Sequence, residues 1–82
     1  MTLAELPRRT AAIVDKVEDN SENDTIARRL RELGFVAGEP VEIVAVGPFG
    51  AEPLLVQIGF TRFALRRSEA ARIHVATAGA GA

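Results

Sequence analysis

The stretch Thr25–Gly38, TIARRLRELGFVAG, does most to limit what this chain can become. Ile26, Leu30 and Leu33 fall at i, i+4 and i+7, the spacing that lines apolar side chains along one helical stripe. Arg28, Arg29, Arg31 and Glu32 lie off that stripe and can face water. Asn23 or Asp24 can cap the first turn by accepting from its free N–H groups. Gly34 follows the last apolar position, where a left-handed residue commonly ends a helix. With Gly34 there, Phe35 can pack back on Leu30, and Gly38 turns the chain into VEIVAV. A lone helix of about ten residues is marginal in water. The sequence therefore predicts that it lies on the rest of the chain, as a lid over one end of a barrel.

The remainder reads as β-structure. Leu3–Leu6 is a possible helical turn stopped by Pro7. Ala11–Val17 is a first strand, with Ile13 and Val17 inward. Glu18–Asp24, EDNSEND, has no periodicity and is expected to be a solvated loop. Pro40–Val46 is rich in β-branched residues, with Val41 and Ile43 inward. Val44 and Val46 break its alternation, so either the strand is bulged or its outer face is partly apolar. Gly47–Pro53 reads as a turn-rich loop, Leu54–Ile58 as a third strand and Gly59–Thr61 as a short connection. Arg62–Arg66 sets Phe63 and Leu65 against Arg62, Ala64 and Arg66, the clearest period-2 pattern here. Ser68 is expected to cap a helical turn before a closing strand with Ile73 and Val75 inward. The fold class is therefore mainly β: a small, SH3-like barrel of about five strands, with one short α-helix and a late helical turn. The domain is expected over residues 1–76, with a flexible tail over 77–82.

Composition and motifs exclude several function classes. No cysteine is present, so thiol chemistry, disulfides and zinc ribbons are ruled out. The one histidine, His74, lacks the nucleophile and orienting group of a catalytic triad, and no enzyme is expected. Gly47-Pro-Phe-Gly50 is not a phosphate-binding loop, since Pro48 removes an N–H donor. Ten basic residues against eleven acidic ones argue against nucleic acid as a partner. No apolar run is long enough to span a bilayer and no export leader is visible, so the expected location is cytoplasmic.

The run Leu30-Arg-Glu-Leu-Gly-Phe35, then Gly38 and a valine-rich strand, resembles the FeoA family of ferrous iron transport accessory proteins. The agreement includes Leu3–Pro7, the Pro48–Pro53 loop, Phe63–Arg67 and Glu69–Ile73, so it covers about Leu3 to Val75. The resemblance implies an SH3-like barrel and a cytosolic partner of FeoB, a permease with a G-protein domain ahead of its membrane helices. Contact with the membrane is then only indirect. A related reading is the SH3-like domain of iron-dependent repressors, a metal-responsive module that self-associates through a divalent ion. The absence of a winged helix upstream favours the transport accessory.

Five residues are expected to bind the partner. Phe49, between Pro48 and Gly50, is a candidate hot spot unless it folds back into the barrel mouth. Val44, Val46, Arg62 and Arg66 complete the set, the arginines as a docking patch for an acidic surface. Leu30, Leu33, Gly34, Phe35 and Gly38 are structural. His74 should point outward; with a carboxylate or a second chain's His74 it can hold a divalent ion at a surface or dimer contact. No tightly bound cofactor is expected, and the chain is read as a monomer or weak homodimer.

Overall fold

A computed structural model describes residues 1–77. A 3-10 turn over Leu3–Glu5 leads into strand β1 (Ala12–Val17) and helix α1 (Thr25–Glu32). Strands β2 (Pro40–Phe49), β3 (Glu52–Ile58) and β4 (Thr61–Leu65) follow as a meander, then a one-turn helix α2 (Arg67–Ala70) and strand β5 (Ile73–Thr77). All five strands form one antiparallel sheet in the order β4-β3-β2-β1-β5, mainly β as expected. Thr77, expected to open the tail, ends β5 opposite Ala12; the remaining tail residues lie outside the described ones.

The helix ends as its sequence dictates. The Asp24 side chain accepts from the Ile26 and Ala27 N–H groups, both at 3.1 Å. At the other end Gly34 has φ +116°. Its N–H donates to the Arg31 carbonyl at 3.0 Å, and the Phe35 N–H donates to the Leu30 carbonyl at 3.1 Å. Those two bonds make a Schellman end, and they carry Phe35 into the core, where Phe35 and Leu30 are both fully buried. The stripe itself needs correction. Ile26 is 39% exposed and Ala27 is fully buried, so the seam runs through Ala27 and Leu30 with Leu33 packed beside it. Ile26 stands one residue, about 100° of helical turn, before Ala27, and so falls on the outer flank of the seam.

Two strand readings also change. In β1 the inward residue is Val14, not Ile13, which is half-buried. A bulge at Asp15 separates the Val14–Val75 and Lys16–His74 pairs, so Val14 and Val17 both point inward although three residues apart. In β2 the register slips at Val44, between the Ile43–Val56 and Ala45–Leu55 pairs. The bulge alternative was therefore the right one. Beyond it, the expected Gly47–Pro53 loop is largely strand: β2 runs to Phe49 and β3 starts at Glu52. Only Gly50 and Ala51 turn, both at φ +62°, the double positive φ of the primed turn that matches a hairpin's twist.

The core gathers Leu3 and Leu6 from the N-terminal turn, Ala27, Leu30 and Phe35 from the helix unit, and inward residues of all five strands. Phe63 packs at its margin, its ring 6.3 Å from that of Phe35 and tilted by 52°. Ser68 does not cap α2. The Glu69 carboxylate does so, reaching back to accept from the Arg66 N–H at 2.8 Å.

Candidate functional site

The β2–β3 hairpin carries Phe49 at its tip, paired across the turn with Glu52. Phe49 is 83% exposed at this turn. Glu52 Oε2 accepts from the Arg67 N–H at 3.1 Å, which ties this tip to the start of α2. Arg66, the residue before α2, is exposed at the same end of the sheet. Arg62 lies four residues earlier at the far end of β4, about 13 Å away at the rise of an extended strand. Its Nε donates to Gln57 Oε1 at 3.2 Å.

The five expected partner-binding residues therefore do not form one cluster. Val46 is packed against the core opposite buried Leu54, and Val44 is the bulged residue, half-buried. Phe49 and Arg66 share one end of the sheet and Arg62 the other. A residue the sequence reading passed over stands beside Arg62: Phe60, fully exposed in the two-residue turn Gly59–Phe60. A glycine followed by an aromatic between two strands was the available signal, since turn tips point outward.

The acidic loop also differs from expectation. It is not simply solvated. Asp24 is only 8% exposed, and its second oxygen accepts from the Asn20 N–H at 2.8 Å and pairs with Arg72 from the far end of the chain. The backbone hydrogen bonds, led by Asn20 and Ala27, with Arg72 added, hold the Asp24 carboxyl down at about 2 against the opposing effect of burial. Asp19 pairs with Arg31 at 2.6 Å, and Arg31 donates also to the Val17 carbonyl at 2.9 Å. The Arg31 hydrogen bond keeps Asp19 below the usual carboxylate range.

His74 does face outward from β5, and its side chain is 28% exposed. Its Nε2 lies 3.0 Å from Glu18 Oε1, the first residue of the acidic loop. That pair offers one imidazole and one carboxylate, two ligands of the kind a divalent ion accepts. Among the described residues no group of three or more such side chains converges. No helix among them is long and apolar enough to cross a membrane.

Comparison with known proteins gives these features a family. A model described as the FeoA domain matches residues 1–77. The structure of FeoA from Stenotrophomonas maltophilia, complexed with zinc and described as an SH3 domain protein, is 67% identical, with a TM-score of 0.85 over 93% of this chain and 89% of that one. The iron(II) transport protein A of Clostridium thermocellum is 34% identical at a TM-score of 0.82, covering 96% of this chain and 46% of that longer one. FeoA of Chlorobium tepidum is 30% identical at 0.81, over 96% and 71%. A search of curated proteins finds no match. The helix end at Gly34, the SH3-like sheet and the match over 77 of 82 residues lead to one conclusion: the chain belongs to the FeoA family, whose members are accessory proteins of ferrous iron transport.

Proposed function

We propose that this protein is a cytoplasmic, non-enzymatic accessory that docks on the cytosol-facing region of a FeoB-type ferrous iron permease and modulates iron uptake. Family membership across residues 1–77 is the observation that carries this reading. Exposed Phe49 supports it as the contact residue: an aromatic ring has few rotatable bonds to immobilise and much apolar surface to bury. Arg66 flanks it, Arg62 extends the surface along β4, and half-buried Val44 and Val46 lie earlier on the strand that leads to it. The test is capture of the permease's cytosolic domain and of its membrane region by the purified chain, with Phe49→Ala beside the parent. Phe49→Ala should weaken capture without lowering the melting temperature. Equal capture by both removes Phe49 as the contact; no capture by either, together with normal iron uptake in a deletion strain, refutes docking.

A second reading is favoured by the His74–Glu18 pair and by the zinc complex of the 67% identical relative. In it a divalent ion bridges two copies, each supplying His74 and Glu18, and metal controls self-association of an otherwise monomeric or weakly dimeric chain. Elution volume in size-exclusion chromatography should fall on adding zinc for the parent and stay constant for His74→Ala. Unchanged elution for both removes this reading.

A further inference from the structure

The sheet's two edges are treated differently. β5 is closed by the N-terminal residues: the Val75 N–H donates to the Met1 carbonyl at 2.9 Å, and Thr2 bridges His74. β4, at the other end of the strand order, pairs with β3 alone. The Gly59–Phe60 turn is flanked by the Ile58–Thr61 pair. In a two-residue hairpin that flanking pair exchanges its hydrogen bonds, and the antiparallel ladder alternates from there. Gln57–Arg62 and Leu55–Ala64 are then the non-hydrogen-bonded pairs. The N–H and C=O groups of Arg62 and Ala64 point away from β3, and among the described residues no backbone group outside the sheet bonds to them.

The side chains along this edge are cationic. Arg62, Ala64 and Arg66 share one exposed face. Ion pairs among the described residues engage Arg9, Arg29, Arg31, Arg72 and His74, but not Arg62, Arg66 or Arg67. The two nearby carboxylates are turned to other donors: Glu52 to the Arg67 N–H, Glu69 to the Arg66 N–H and Arg29. A second copy of β4, aligned on Ala64, would set Arg62 against Arg66 of the other copy, and like charges directly opposite repel.

We propose that β4 is the docking edge for an extended acidic segment of another protein, which adds to the sheet as a sixth strand. Its main chain bonds to Arg62 and Ala64. Two of its carboxylates, four residues apart and so on one face of the incoming strand, meet Arg62 and Arg66. An apolar residue beside the turn covers Phe60, which is otherwise fully in water. The proposal rests on the docking reading above only in that the partner is a protein.

The probe is an acetylated, amidated hexapeptide alternating glutamate and valine, titrated into the nitrogen-15-labelled full chain. Amide shifts should move, and hydrogen exchange should slow, at Arg62 and Ala64. Exchanging the peptide's glutamates for lysines should abolish the response, as should charge reversal by Arg62→Glu with Arg66→Glu. Ala64→Pro removes an outward N–H and leaves the β3–β4 bonds in place, so it should abolish binding while the amide spectrum stays dispersed. If that variant does not fold, an N-methylated peptide, unable to donate from its main chain, takes its place and should not bind. The edge is refuted by an absent response, by shifts confined to residues outside β4, or by undiminished binding with Ala64→Pro or the N-methylated peptide. Peptide failure alongside capture of the permease would overturn the edge and leave docking intact.

Discussion

Replacing Gly34 separates backbone strain from packing cleanly. A Cβ added there would meet only Ile58 Cγ1, at 3.9 Å, which is ordinary contact. Crowding is therefore not the penalty for Gly34→Ala. The penalty is φ +116°, a region that residues with a Cβ avoid at about 2 kcal/mol. Relaxing toward the nearer left-handed well would pull on the bonds that close the helix, from Gly34 to Arg31 and from Phe35 to Leu30. Phe35, fully buried, would have to move with them. For a domain of this size each kcal/mol shifts the midpoint by about 4–8 °C, so Gly34→Ala should lower it by about 8–16 °C. Gly34→Val should cost more, because branching at Cβ narrows the choices further. Gly34→Asn should cost least of the three, since Asn visits positive φ more readily. Thermal unfolding followed by far-ultraviolet circular dichroism measures all three. A midpoint for Gly34→Ala within about 2 °C of the parent, well under the shift expected for a residue at this φ, would refute the strain argument.

Leu30→Ala should cost about 2–5 kcal/mol by leaving a cavity under the helix, whereas Ile26→Ala should stay within about 0.5 kcal/mol; urea unfolding of the two compares the buried seam with the exposed flank. Asp24 is charged in the fold down to about pH 2 but protonates near pH 4 when unfolded. Its stabilisation is therefore complete above about pH 4 and lost as pH falls toward 2, so Asp24→Asn should flatten that part of the stability–pH curve. Urea midpoints from pH 5 down to pH 2 would show it, and an unchanged slope would refute it. A Cβ on Gly47 would run into the Glu52 carbonyl and lie 2.6 Å from Pro53 Cδ. Gly47→Ala should then destabilise the chain and speed amide exchange in the hairpin that carries Phe49; exchange at the parent's rate would mean that the hairpin yields freely.

Much of the fold was written locally. The cap at Asp24, the glycine stop at Gly34 and the alternation in β4 each depend on residues within one turn or one strand of each other, and their chemistry has one outcome. The bulge at Asp15 has no local signal, and the broken alternation of β2 offered a bulge at Val44 only as one of two outcomes. Both bulges exist because β1 must match β5 and β2 must match β3 in register, and that choice changed which of Ile13 and Val14 is buried. The acidic loop misled for the same reason. Read alone it is a polar linker, but Arg31 reaches back to it from the following helix and Arg72 from far along the chain.

The candidate site divides in the same way. Exposure of Phe49 at a turn was legible, because a Gly-flanked aromatic between strands has little to pack on. The packing of half-buried Val46 against the core and the open edge of β4 were not. Those depend on which strand neighbours which. Sequence alone determined the helix, its two ends, the strand content and the family. The tertiary structure decided register and edges, because hydrogen-bond pairing between distant segments is a property of the assembled sheet and of no single segment in it.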